Sequence, residues 1–123
     1  MDQNRIAKPS PADVDGRPDA ELVTGARAGE PSAFEAIMRR NNRLLFRTAR
    51  GVVPDDAEAQ DVVQETYLRA FARLDSFRGE AALSTWLARI AINVAVSAQH
   101  KQGRIVQMED REGLATESSA KLI

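Results

Sequence analysis

From Leu22 to Val94 apolar side chains return every three or four residues, the spacing that lays them along one face of a helix. Asp19 is placed to cap a short helix running through Ala28, with Leu22, Val23 and Ala26 on one side and Gly29 as its stop. Ser32-Ala33-Phe34-Glu35 fits a capping box and predicts a longer helix to about Val52. In it Phe34, Ile37, Met38, Leu45, Ala49 and Val52 form the apolar stripe, and Arg39, Arg40, Arg43, Arg47 and Arg50 fill the remaining face. Pro54 marks the start of a third helix, to about Leu74, with Asp55, Asp56 and Glu58 where exposed N–H groups favour negative charge. Its core side is Val62, Thr66 or Tyr67, Ala70, Phe71 and Leu74, which leaves Asp61, Gln64, Glu65, Arg69 and Arg73 toward solvent.

Gly79 interrupts the pattern, and Ser84 is a candidate cap for a last helix. The core stripe of that helix is Leu83, Leu87, Ile90, Ala91 and Val94, and Gly103 is a natural stop. No segment alternates with a period of two, so the fold class predicted is all-α, a compact bundle of three to four helices. Residues 1–18 combine Pro9, Pro11 and Pro18 with Ser10, Asp13, Asp15 and Gly16, have few large apolar side chains, and read as a disordered leader. Residues 105–123 are acidic, small and weakly periodic, and read as a linker or tail.

A length of 123 residues allows one well-cored domain, placed at residues 19–104, and is too short for two. Nothing approaches the ~20 apolar residues of a membrane span, and the N-terminus lacks the apolar core of a secretory signal, so a soluble, cytoplasmic protein is expected. With no cysteine and a single histidine, His100, disulfides, thiolate metal sites and histidine metal clusters are excluded. The formal charge of −1 conceals strong segregation. Residues 31–52 carry five arginines against one glutamate, residues 53–65 five acids and no base, and residues 66–104 six bases against two acids. Such blocks are often solvated helix faces; they are also what a protein needs to meet phosphate on one side and a basic partner on another.

The run DVVQETYLRAFARLDSFRGEAALSTWLARIAINVA, beginning at Asp61, resembles region 2 of the bacterial sigma-70 family, and specifically the extracytoplasmic-function (ECF) sigma factors. The resemblance rests on D-x-V-Q-E-T, the L-D-S-F-R-G turn, T-W-L-x-R-I-A and the following Asn93, in that order, and extends upstream over roughly residues 19–104. It implies the helical bundle of region 2. Family members continue through a linker into region 4, a second helical domain that reads the minus-thirty-five element and is absent from this sequence.

The resemblance implies two surfaces, expected on opposed sides of the bundle. Asp61, Gln64 and Glu65 match the helix that docks on the β′ clamp helices of core RNA polymerase, and their spacing presents two carboxylates and an amide together to arginines of a partner. The loop and the last helix match the parts that melt the promoter and read the non-template minus-ten strand. Reading a base pulled from its stack requires room, an apolar wall and groups for the Watson–Crick edge. Gly79, Ala81 and Ala82 leave room, Phe77 supplies the wall, and Glu80 and Ser84 supply polar groups. Asn93 matches a position that reads a neighbouring base, with an exposed polar residue as its plainer role. Trp86 is either a core anchor or part of the upstream edge of the melted segment; Leu87 stands where primary sigma factors have a second tryptophan. Arg78, Arg89, Lys101 and Arg104, with His100, are candidate phosphate contacts.

An anti-sigma factor is a further partner implied by the family. No cofactor is implied. A catalytic reading lacks a glycine-rich phosphate loop, a G-x-S-x-G turn and a histidine beside a nucleophile. The competing reading is a helical protein-interaction module without DNA binding, which accounts for the helices but not for the loop from Phe77 to Ser84.

Overall fold

A computed structural model describes the backbone of residues 16–117 and the side chains of residues 16–103. Among the described residues the chain forms four α-helices and no strand: α1 (Asp19–Arg27), α2 (Pro31–Arg50), α3 (Asp56–Ala72) and α4 (Leu83–Glu117). A single 3-10 turn, Leu74–Ser76, follows α3. The all-α class and the bundle are as expected. Of the expected leader, residues 1–15 lie outside the described residues, as do residues 118–123 of the expected tail.

The helix starts differ from the sequence expectation in an instructive way. Pro18, not Asp19, is the N-cap of α1, and its carbonyl accepts from Leu22 N at 3.1 Å. Asp19 sits inside the first turn and accepts from Arg40 Nη1 at 2.9 Å. Glu30 is the N-cap of α2, with Pro31 in the first turn, where a missing N–H is harmless. Ser32 therefore falls inside the helix, its hydroxyl 3.4 Å from the Glu30 carboxylate, and no capping box forms. Only α3 is capped by a side chain among these starts: Asp55 Oδ1 accepts from Glu58 N at 2.8 Å. At α4 the Ala82 carbonyl accepts from Trp86 N at 3.0 Å, so Ser84 lies within the first turn and does not cap.

Gly103 is not a stop. The backbone of α4 continues through it to Glu117, tolerating the roughly 1 kcal/mol by which glycine is worse than alanine inside a helix. At 1.5 Å per residue α4 is roughly 52 Å long against roughly 30 Å for α2, so it outruns the bundle.

The core is the meeting of four stripes. α4 packs on α2 and α3, α1 packs on α2, and the 3-10 turn is held between α1 and α3. Leu22, Ile37, Leu45, Val53, Leu83 and Leu87 are completely or almost completely buried, as is Thr66, whose hydroxyl donates to Val62 O at 2.7 Å. Asn41, the other buried polar residue, donates from Nδ2 to Ile37 O at 2.7 Å. Both polar groups are thus satisfied by their own helix, as burial requires. Between α2 and α3, Phe34 meets Phe71 edge to face at 4.6 Å and Tyr67 stacks on Phe71 at 5.6 Å. The Tyr67 hydroxyl donates to Asn42 Oδ1 at 2.7 Å and lies 3.3 Å from Met38 O.

Two measurements check this packing. Leu87→Ala, at a position with no exposure, should cost about 2–5 kcal/mol of stability in urea unfolding followed by circular dichroism. Burial holds the Tyr67 phenol well above its ordinary 10.0. The folded chain therefore retains this proton when the unfolded chain has lost it, and stability must fall as pH rises past about 10. Tyr67 is the only tyrosine, so phenolate absorbance reports it alone, and Tyr67→Phe should flatten that part of the stability profile.

Candidate functional site

On α3, burial of Ala59, Val62, Val63, Thr66 and Ala70 turns the opposite arc outward. At roughly 100° per residue, Asp61, Gln64, Glu65 and Leu68 share that arc. Asp61 and Gln64 are exposed and Glu65 is half-buried. Glu65 accepts from Arg69 Nε at 2.9 Å one turn on, an exposed pair of small energetic weight. Asp61 has no ion-pair partner among the described residues, so its carboxylate is available to another molecule. The arc straddles two grooves. Asp61 and Glu65 line one of about 350 Å³ against Val94, Ser97, Ala98 and Lys101 of α4. Gln64 lines another on the α2 side, with Phe34, Met38, Tyr67, Leu68 and Phe71.

Beyond the 3-10 turn the chain crosses to α4 through Phe77–Ala82. Arg78, Gly79, Glu80 and Ala82 are exposed and Ala81 is half-buried. Gly79 has φ +77°, a conformation that strains any side chain, and nothing lies within 4 Å of where a Cβ would stand. The loop is thus an open shelf. Phe77 is half-buried and its ring lies 5.1 Å from Trp86, tilted by 54°, so one face of the expected wall is already in contact with the bundle. Trp86 is itself half-buried against the core, in keeping with an anchoring role for part of its ring.

Trp86, Arg89, Asn93 and His100 recur along one side of α4, within an arc of roughly 60° at 100° per residue. Arg89, Asn93 and His100 are exposed. An aromatic edge, a guanidinium, an amide and an imidazole therefore run in one line away from the loop. Lys101 departs from it: expected with the phosphate contacts, it lines the groove that holds Asp61 and Glu65, about 22 Å along the helix from Trp86. Lys101, expected on the DNA side, thus shares a groove with Asp61 and Glu65, expected on the polymerase side. The side chain of Arg104 lies outside the described residues.

Two residues escaped the sequence reading. Leu68 is 68% exposed in the middle of the α3 outward arc, beside Gln64. Its signal was present as an apolar residue seven positions after Asp61 on a polar face. Arg27 donates from Nε (3.2 Å) and Nη2 (3.0 Å) to Leu74 O and from Nη2 also to Phe77 O. Nothing local in the sequence announces a contact across 47 residues.

The sigma-70 region 2 model matches residues 37–105. The chain is 35% identical over 100 residues to the ECF RNA polymerase sigma-E factor of Escherichia coli K12, covering 81% of this chain and 52% of that protein. It is 37% identical over 86 residues to the RNA polymerase sigma-H factor of Pseudomonas aeruginosa PAO1, covering 70% of this chain and 45% of that protein. The chain spans about half the length of the curated relatives it matches. A solved structure, the NMR complex of an engineered region 2 of sigmaE with GTAAAA, is similar with a TM-score of 0.66 at 35% identity, covering 72% of this chain and 92% of that one. The chain belongs to the sigma-70 family, as a region 2 domain of the ECF type.

The Phe77–Trp86 contact gives a direct check of the loop anchor. Trp86 is the only tryptophan, and Phe77→Ala should shift its emission to the red while leaving helical circular dichroism unchanged.

Proposed function

We propose that this domain directs transcription initiation by binding core RNA polymerase through the outward face of α3 and the melted non-template minus-ten strand through the Phe77–Ala82 loop and the Trp86–Asn93 line of α4. The observation that carries the proposal is the likeness to a region 2 domain solved with the single strand GTAAAA, in a chain whose own open loop leads into a line of exposed polar side chains. Gly79, Ala81 and Ala82 leave space for an extruded base, Phe77 borders it, and Glu80 and Ser84 provide groups for its edge. Asn93 both donates and accepts, which suits a second base. Arg78 and Arg89 hold phosphates, contacts that position a strand without reading it.

On the polymerase side, Asp61, Gln64 and Glu65 meet arginines of the β′ clamp helices, and the exposed Leu68 adds apolar contact beside Gln64. The same surfaces are what an inhibitory anti-sigma factor would cover. The domain supplies recognition and no reaction of its own. Exposed Leu68 on its own also suits a module that binds protein alone; that reading leaves the loop and the α4 line without a use.

Fluorescence anisotropy with labelled GTAAAA separates the two. The domain should bind the oligonucleotide with an affinity that falls as salt rises, by about 0.7 in the logarithmic slope for each phosphate neutralised, and Arg89→Ala should remove about one such unit. Asp61→Arg should weaken capture by clamp-helix protein about tenfold or more and leave oligonucleotide binding intact. Oligonucleotide binding that is absent at low salt, with clamp-helix binding retained, would favour the protein-only module.

A further inference from the structure

The geometry points to Arg27 of α1 as a positioning residue for base selection: its guanidinium fixes the carbonyls from which the Phe77–Ala82 loop departs. This inference rests on the DNA-reading role proposed above and adds to it a residue that touches neither base nor phosphate. Nε–H and one Nη2–H converge on Leu74 O, at 3.2 and 3.0 Å, and Nη2 also donates to Phe77 O. The first and last peptides of the turn out of α3 are therefore tied to one rigid, planar donor group. The Leu74 carbonyl also accepts from Phe77 N at 3.1 Å, which closes the turn from inside. Asp75 lies 3.8 Å from Nε but is 96% exposed, so its charge adds little, and the carbonyls are the substance of the contact.

The consequence follows from what the loop lacks. The described residues make no hydrogen bond to Arg78, Gly79, Glu80 or Ala81, and no Cβ-distance contact surrounds Gly79. With no internal support, the direction in which the loop leaves is set at its two ends. Buried Leu83 and the start of α4 hold one end; the Arg27 fork and the Phe77–Trp86 contact hold the other. A shelf held in one direction before the strand arrives needs less ordering on binding, and the groups on it meet one base edge better than others. A lysine supplies the same charge but only a compact ammonium, and cannot reproduce the fork across two carbonyls.

The test uses anisotropy with labelled GTAAAA and a panel of its single-base variants, applied to the whole chain as wild type, Arg27→Ala, Arg27→Lys and Arg50→Ala. Arg50 bonds Asp56 and Val53 O and controls for loss of one positive charge. Wild type should rank the panel. Arg27→Ala and Arg27→Lys should weaken the best sequence about tenfold and compress the ranking toward uniform, while Arg50→Ala keeps it. Exchange of the Phe77 amide, which donates to Leu74 O, should accelerate in both Arg27 variants, with clamp-helix binding unchanged. If Arg27→Ala does not fold, Arg27→Lys, which keeps stem and charge, decides alone. A preserved ranking in Arg27→Lys, or a Phe77 amide exchanging as in wild type, overturns the inference. Equal affinity of the wild type for every member of the panel instead overturns the DNA-reading role itself.

Discussion

Leu83, Leu87, Ile90, Ala91 and Val94 of α4 are buried against α2 and α3, and that contact governs what the molecule presents to others. A helix has one azimuth to give away. Once these five side chains occupy it, the positions of Trp86, Arg89, Asn93 and His100 are turned to the flank and outward by the 3.6-residue repeat alone. The same logic applied to α3 places Asp61, Gln64, Glu65 and Leu68 on its outward arc. Neither surface required separate construction. Each is the remainder left by the apolar stripe, and a change that rotated either helix would move the whole set of exposed groups together.

Charge is distributed in keeping with that geometry. The acids of the block after Val52 gather at the start of α3, where Asp55 caps the helix and Asp56 and Glu58 meet the positive end of the helix dipole. This arrangement stabilises α3 and leaves Asp61, one turn further, lining the α3–α4 groove without an ion-pair partner among the described residues. Lys101 and Arg69 lie in the same groove, so a basic partner docking there competes with local cations. On the opposite shoulder, Leu68 and Gln64 line an apolar groove, and Gln64 also borders a second one that contains Arg43. On the proposed reading, the polymerase contact then divides by chemistry: charge on the α4 side, and an amide with apolar surface on the α2 side.

Helix identity and core faces were legible in the sequence because the repeat that reveals them is the repeat that packs them. Every residue of the α4 stripe is buried, and so are both Thr66 and Tyr67, between which the α3 pattern alone did not choose. Helix boundaries were less legible. Ser32, Asp19 and Ser84 have the chemistry of caps, but Pro31 and the chain geometry after Pro18 and Ala82 start each helix a residue or two away. Gly103 reads as a stop only where the chain needs a left-handed residue, and α4 does not turn there. Arg27 was invisible for a different reason: its role exists only when α1 and the turn after α3 are brought together, and spacing carries no trace of that contact. Leu68 was visible as an anomaly, an apolar residue on a polar arc, and patterning alone assigns such a residue no partner.

The loop has the opposite character from a catalytic pocket. It is open, carries a glycine at φ +77°, and derives its position from both ends instead of from its own hydrogen bonds. A base drawn onto it would find little enclosure until the nucleotide itself closed one side, with Phe77 and the edge of Trp86 beneath. Stacking and edge contacts on so open a shelf yield modest affinity, and discrimination then depends on how narrowly the shelf is aimed before contact. An open reader with fixed ends can release its strand readily and still prefer one sequence. On the proposed reading, that combination suits a domain whose hold on DNA is reinforced when a polymerase, bound through α3, raises the local concentration of the strand. α4 packs on α3, so on that reading the exposed groups along α4 are carried at a fixed offset from the α3 face.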